Sequence, residues 1–233
     1  YGADFLRGRD YTLVQPPLMM NREAYEGVTD LADFETVMYG IEPDNYYLIA
    51  TSEHPLTAMR MDEIIEPSEL PIRLVGVSAC FRREVGAHGL SDRGIWRVHQ
   101  FTKVEQIVIC HPDDSWGHHE ELLGNAVDLW DSLGLHYRVV NICTGDMGTV
   151  AARKYDLEAW LPGAGDYKEV VSCSNCTDYQ ANRLRMRYRT TEGNETVHTL
   201  NSTAIATSRT LVAILEQNQM KDGRVSVPEA LRP

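Results

Sequence analysis

Lysine is scarce in this chain: Lys103, Lys154, Lys168 and Lys221 are the only four among 22 basic residues, set against 34 acidic ones. The formal charge of -12 excludes undirected attraction to nucleic acid, so any RNA contact has to be local. Cysteine is also sparse, with five residues at irregular spacing. An odd count without a framework argues against disulfide stapling and for reduced thiols in a cytoplasmic protein. The chain has no apolar run long enough to span a bilayer and no signal-like amino terminus, so no membrane partner is expected. Low-complexity segments, long linkers and internal repeats are missing. What remains is 233 residues at 43% hydrophobic content, enough for one large core and read as one domain over 1–233. The opening Tyr1-Gly2-Ala3-Asp4-Phe5-Leu6-Arg7-Gly8 lacks a methionine and reads as the tail of a helix ended by glycine, which predicts a piece of a longer protein.

Against these absences stands one dense segment. Phe81-Arg82-Arg83-Glu84 is followed, after a glycine-bearing loop, by Arg97-Val98-His99-Gln100-Phe101-Thr102-Lys103-Val104-Glu105. If both flanks are strands, alternation puts Arg82 and Glu84 on one face and Arg97, His99, Phe101, Lys103 and Glu105 on another single face. Charged side chains are costly to bury unpaired, so a strand face lined with arginine, an aromatic ring and carboxylates is expected to hold a ligand. Cations beside an aromatic plate suggest a nucleotide.

Around this segment, Tyr11 to Gln15 reads as a strand stopped by Pro16 and Pro17. Helical patterns are predicted at 20–40, 53–64 and 115–133, the last closed by Gly134. Strand-like runs lie at Leu74 to Arg83, Trp96 to Ile109, Tyr137 to Ile142, Tyr167 to Ser174, Arg183 to Arg189 and Val197 to Leu200. A further helix is predicted to start near Asn201 to Thr203, with Arg209 in its early turns, where anions gather. Short glycine-containing connections favour an α+β fold: an antiparallel sheet of six to eight strands flanked by helices. The run from Arg183 to Arg189 alternates arginine with Leu184, Met186 and Tyr188, and reads equally as a ridge for RNA phosphates or as arginines paired with acids. Cys173-x-x-Cys176 lacks a convincing second pair of ligands, which disfavours zinc.

Phe-Arg-x-Glu, a loop, then Arg-Val-His-Gln-Phe-x-Lys-Val-Glu resembles motif 2 of the class II aminoacyl-tRNA synthetases, in the form found in the seryl family. Three further blocks agree in order: Thr51-Ser52-Glu53-His54-Pro55; Glu169 through Gln180, containing Ser172-Cys173-Ser174-Asn175-Cys176; and Asn201-Ser202-Thr203 through Thr210. The last two are closer in wording to archaeal and eukaryotic members than to bacterial ones. The resemblance implies the class II synthetase fold, with a motif 1 remnant near 1–17, motif 2 near 78–106 and motif 3 near 199–219. It implies activation of L-serine with ATP and Mg2+ and transfer to tRNA(Ser), bound mainly through an amino-terminal arm that these residues lack, in a homodimer. Two rivals are a ligase that charges a carrier protein and a synthetase-like binding module without catalysis.

The same resemblance assigns roles. Arg82 and Arg209 are the catalytic cations, on the α- and γ-phosphates; Glu84, Arg97, Val98 and Phe101 hold the rest of the nucleotide; Glu169 and Ser172 bind the Mg2+ that travels with ATP. Thr51, Glu53, Arg82, Glu105 and Thr203 hold serine, with Glu105 and Thr51 on the ammonium and Glu53 and Thr203 on the hydroxyl. A guanidinium meets paired oxygens bidentately, which suits Arg82 to a phosphate. A pocket that hydrogen-bonds a hydroxyl rejects alanine because its own groups would be left unpaired.

Overall fold

The computed structural model describes residues 1–30, 36–84 and 94–232. In chain order the elements that position the site are α1 (Gly2–Arg7), β1 (Thr12–Val14), β2 (Met19–Asn21), α2 (Arg22–Val28), β3 (Gly40–Ile41), β4 (Tyr46–Leu48), α3 (Glu53–Ala58), β5 (Ile64–Ile65), β6 (Ile72–Phe81) and β7 (Gln100–Cys110). They continue with α4 (Ser115–Ser132), β8 (Tyr137–Asn141), β9 (Arg153–Leu161), β10 (Asp166–Thr177), α5 (Tyr179–Arg183), β11 (Arg187–Thr190), β12 (Gly193–Thr196), β13 (His198–Ala206) and α6 (Thr207–Gln217). Seven strands form the main sheet in the order β1-β6-β7-β13-β10-β9-β8. Only the β1–β6 edge pair is parallel, so the sheet is antiparallel almost throughout, as the short connections predict.

One face of this sheet is sealed by α4. Leu122 and Leu129 pack with Val104, Val108 and Leu200, and Ala126 and Trp130 with Leu157, Ala159 and Val171. The Trp130 indole donates to the Ala204 carbonyl at 3.3 Å, which fixes the helix on the central strand β13. The opposite face cannot close in the same way, because β7 sends Lys103 and Glu105 there before Ile107 dips under Leu56 of α3. Period-two alternation along β7 therefore makes one side core and the other side cavity. Among the described residues no helix is long and apolar enough to cross a membrane.

Several expectations change. The helix predicted over 20–40 is split: Met19–Asn21 pairs with β4, α2 stops at Val28, and 31–35 lie outside the described residues. The pattern at 53–64 ends at Ala58, because Asp62 takes a left-handed φ of 63° and the β-branched pair Ile64–Ile65 joins β11. Asn201 to Thr203 are strand, not a helix start. β13 is hydrogen-bonded on both edges, and that ladder outweighs the capping preference of the residue types. The basic run is not one strand either: Arg183 ends α5, Arg185 sits in a turn at φ 57°, and only Arg187 and Arg189 lie on β11. Strand β9 was not expected, although Tyr155, Leu157, Ala159 and Leu161 alternate with polar neighbours as a strand requires. The 115–133 helix is seen as α4, and Gly134 takes the left-handed φ of 64° just beyond it.

Gly76 of β6 lies where the sheet meets α3. A Cβ at this position would sit 2.6 Å from Leu56 Cδ1 and 2.9 Å from Ser52 Cβ. Gly76→Ala is therefore expected to cost roughly 1–3 kcal/mol by overpacking. A thermal melt checks this; an unchanged midpoint would mean that α3 moves away freely.

Candidate active site

The open face of the sheet carries two joined cavities, of about 500 Å³ and about 80 Å³. Arg82, Lys103, Glu169, Ser172 and Thr203 line both and form the wall between them. Thr51, Glu53 and Glu105 line the larger cavity. Glu84, Arg97, Val98, Phe101 and Arg209 line the smaller. All twelve residues singled out from the sequence thus border these two adjoining cavities, although they come from the segment after β6, from β7 and the segment before it, from the middle of β10, from β13, and from the starts of α3 and α6.

On the smaller side, the chain leaves strand geometry sooner than alternation assumed. β6 ends at Phe81 and β7 begins at Gln100, so Arg82, Glu84, Arg97 and His99 are not held by a strand face. Other bonds hold them. The Arg82 backbone N–H donates to the His99 carbonyl at 3.0 Å, its Nε donates to the Ala50 carbonyl at 3.2 Å, and its guanidinium lies 5.4 Å from the centre of the Phe101 ring. Glu84, in the left-handed region at φ 50°, forms an ion pair with Arg97. Phe101, Lys103 and Glu105 do share one face of β7, as expected. Arg209 stands in the first turn of α6, donates to the Glu169 carbonyl at 2.9 Å and faces the Trp96 ring at 5.2 Å; burial pushes its pKa down. A short guanidinium-rich wall of this kind accepts an anion whose oxygens spread over several ångströms.

On the larger side the two acids are differently held. Glu105 of β7 pairs directly across the ladder with Thr203 of β13, and its Oε2 lies 2.6 Å from Lys103 Nζ. Both partners are buried, with side-chain exposures of 9% for Lys103 and 2% for Glu105. Burial pushes the Glu105 pKa up, and Lys103 opposes it. Glu53, in the first turn of α3, accepts from Gln180 Nε2 at 2.8 Å, and its backbone N–H donates to Thr51 Oγ1 at 3.3 Å. Its pKa is pushed up to about 7, first by burial and then by Glu105. His54 also lines this cavity and is bonded to the Tyr25 hydroxyl at 3.0 Å, with a pKa driven by burial down to about 3. Besides these two acids, Asp30 and Glu169 also line the larger cavity, with Arg82, Lys103 and Lys154 as its cations, so the space offers both signs of charge, as a small zwitterion requires.

The raised Glu53 pKa fixes the sign of a pH effect. The unfolded chain loses this proton near 4.5 and the folded one near 7, so between those values the folded state holds the extra proton. Stability from this group falls as pH rises through that window and is lowest above it. Glu53→Gln is expected to melt about 2–4 °C higher than the parent at pH 8. Below pH 4.5 the difference should vanish, and calorimetry at both values checks it.

Sequence reasoning passed over Lys103 as a site residue, although alternation placed it on the ligand face beside Glu105. Trp96, Asn201 and Ser174 also line these cavities. Asn201 and Ser174 are opposite each other on β13 and β10, a pairing that only the register reveals. Two of the four arginines in the run meet acids, Arg185 with Asp62 and Glu23 and Arg189 with Glu66, while Arg183 stacks 3.6 Å from the Tyr179 ring and Arg187 donates to the Ala181 and Met186 carbonyls. All five cysteines are free thiols, and burial pushes Cys173 up to about 12.

An antiparallel sheet with an arginine-walled cavity on its open face is the architecture of one synthetase class. The family model for the tRNA synthetase class II core domain (G, H, P, S and T) matches residues 37–218, and the chain belongs to that family. Within it the similarity narrows to the serine branch. The chain is 63% identical to the serine-tRNA ligase of Methanocella arvoryzae, over 100% of this chain and 56% of that protein. It is 58% identical to that of Archaeoglobus fulgidus, over 100% and 52%. The seryl-tRNA synthetase from Pyrococcus horikoshii complexed with ATP superposes with a TM-score of 0.96 at 53% identity, covering 99% of this chain and 52% of that one. The cytoplasmic serine-tRNA ligase from Naegleria fowleri in complex with AMP gives 0.95 at 47%, covering 100% and 56%. Prolyl-tRNA synthetase from Giardia lamblia, at 14% identity and a TM-score of 0.85, shares the fold alone. The chain spans about half the length of the curated relatives it matches.

Proposed function

We propose that this chain is the catalytic part of a serine-tRNA ligase. Serine and ATP react first: the serine carboxylate attacks the α-phosphorus, forming seryl-adenylate and releasing pyrophosphate. The seryl group then passes to the terminal ribose of tRNA(Ser). The observation that carries this reading is the meeting of a guanidinium wall and an acid-lined pocket on one sheet face, in a chain 63% identical to a serine-tRNA ligase.

No side chain acts as nucleophile in this scheme. Arg82 lies on the wall common to both cavities, where serine and the α-phosphate have to meet, and its fixed charge meets the negative charge that builds there. Phe101 stacks on adenine, Glu84 and the Val98 backbone read its edge, and Arg97 and Arg209 hold the phosphate tail. Serine lies in the larger cavity, its ammonium at Glu105 and Thr51 and its hydroxyl at Glu53 and Thr203. Alignment of the two reactants and charge stabilisation supply the acceleration.

Glu169 and Ser172 offer one carboxylate and one hydroxyl on the wall between the cavities. That donor set fits Mg2+, which takes one or two protein oxygens and fills its shell with phosphate and water. When bound, the ion neutralises triphosphate charge. Assembly into a homodimer and action in the cytoplasm complete the reading.

Serine-dependent exchange between ATP and pyrophosphate, run beside threonine, alanine and glycine, is the test. Exchange with serine alone, followed by charging of tRNA(Ser), is expected. Exchange with another of the three amino acids, or transfer to a protein carrier in place of tRNA, would overturn the assignment.

A further inference from the structure

Beside Glu169 and Ser172, on the neighbouring strand β9, lies a carboxylate that the scheme above leaves without a task. A bulge between Glu169 and Val171 shifts the β9–β10 register, so that Glu169 faces Glu158 and Ser172 faces Asp156. Residues three apart on β10 are thereby brought to one side, together with two acids of β9. Glu158 is tied to Arg138 of β8 at 2.7 Å. Asp156 is held more loosely: it is 6% exposed, Lys154 Nζ stands 3.7 Å from its Oδ1, and that oxygen makes no hydrogen bond. Ser172 stands directly opposite Asp156 across the β9–β10 ladder, which sets its hydroxyl beside that carboxylate. Asp156 itself lines neither cavity, whereas Ser172 lines both.

We propose that Asp156 is a positioning residue: it accepts the proton of the Ser172 hydroxyl, so that the oxygen lone pairs of Ser172 point at a divalent cation in the cavity. This rests on the reading of Glu169 and Ser172 as the cation's protein ligands. A hydroxyl has one proton and two lone pairs, and it can ligate a cation only when the proton is directed elsewhere. A buried acceptor on the adjacent strand supplies that direction, as outer-shell carboxylates do for other metal ligands. Lys154 balances the charge of Asp156 without competing for the serine proton, because an ammonium has nothing to accept it with.

The test uses Mn2+ as the probe, its affinity for the chain loaded with a non-hydrolysable ATP analogue being read by electron paramagnetic resonance. Asp156→Ala is expected to weaken Mn2+ about tenfold. Asp156→Asn, which keeps one accepting oxygen, should fall between it and the parent. In a Ser172→Ala background the Asp156 replacement should add nothing, since it acts through that hydroxyl. Asp156→Leu, an apolar replacement of similar size, gives the same reading if the alanine chain does not fold. Wild-type Mn2+ affinity in the Asp156 variants, with or without a lowered melting point, would overturn the proposal. So would losses that add up in the double variant. If Ser172→Ala itself leaves Mn2+ binding intact, the ligand assignment fails and this proposal falls with it; if only the Asp156 variants are silent, the ligand assignment stands.

Discussion

Arg82→Ala is expected to reduce serine-dependent ATP–pyrophosphate exchange by at least about 10³-fold. Two features make the expected loss large. Among the described residues that border both cavities, Arg82 is the guanidinium, and in the proposed reading the serine carboxylate and α-phosphate meet there. It is also held before any ligand arrives, by the Ala50 carbonyl and the Phe101 ring, so its charge needs no reorganisation during the reaction. The fold should survive. Arg82 lies just past the end of β6, and alanine removes one side-chain bond to a carbonyl, worth about 1 kcal/mol. Arg82→Lys keeps the charge but loses the planar fork and should fall between the two. Exchange by the alanine variant within tenfold of the parent, in protein with an unaltered circular dichroism spectrum, would take the α-phosphate role from this residue.

Glu105→Ala should damage stability as well as activity. Removing the carboxylate leaves the Lys103 ammonium buried without its partner at 2.6 Å, a situation that typically costs about 3–5 kcal/mol. In a chain of this size that is roughly 6–20 °C in the melting midpoint. Replacing both members by apolar residues, as in the pair Lys103→Met with Glu105→Leu, should recover most of the loss. Neither variant should activate serine. The contrast with Glu53 is informative, because the two acids share a cavity yet face different surroundings. Glu105 has a cation in direct contact, whereas Glu53 accepts from the Gln180 amide and feels Lys103 and Arg82 only at longer range, and its replacement by glutamine is expected to stabilise. A Glu105→Ala chain that melts with the parent would show that water in the open cavity solvates Lys103 well enough to replace the pair.

The residues of the cavity were legible to different degrees, for physical reasons. Phe101, Lys103 and Glu105 lie inside β7, where alternation alone decides the face. Arg82 and Glu84 could be chosen by type, but not by the geometry first assigned to them. The strand stops at Phe81, and a backbone bond to His99, an ion pair to Arg97 and a left-handed turn at Glu84 do the positioning. Thr203 was read as the start of a helix and is strand. Its residue type favours caps, but its neighbours on both sides offer ladder bonds that an isolated segment would lack. Asp156 escaped notice altogether. Nothing marks one acid among 34 until β9 is seen to lie beside β10 and a bulge turns Ser172 toward it.

The linear order of residues thus determined the chemistry available: guanidinium groups, two acids, two threonine hydroxyls and the hard oxygens of Glu169 and Ser172, along with the antiparallel sheet that short connections and alternating patterns require. The tertiary structure alone decided which charges meet. Pairing across strands depends on register, and register is set by bulges and long-range ladders that no local window contains. The Glu105–Thr203 pairing and the placement of Asp156 opposite Ser172 follow from that register, and with them part of the electrostatic balance of the cavity.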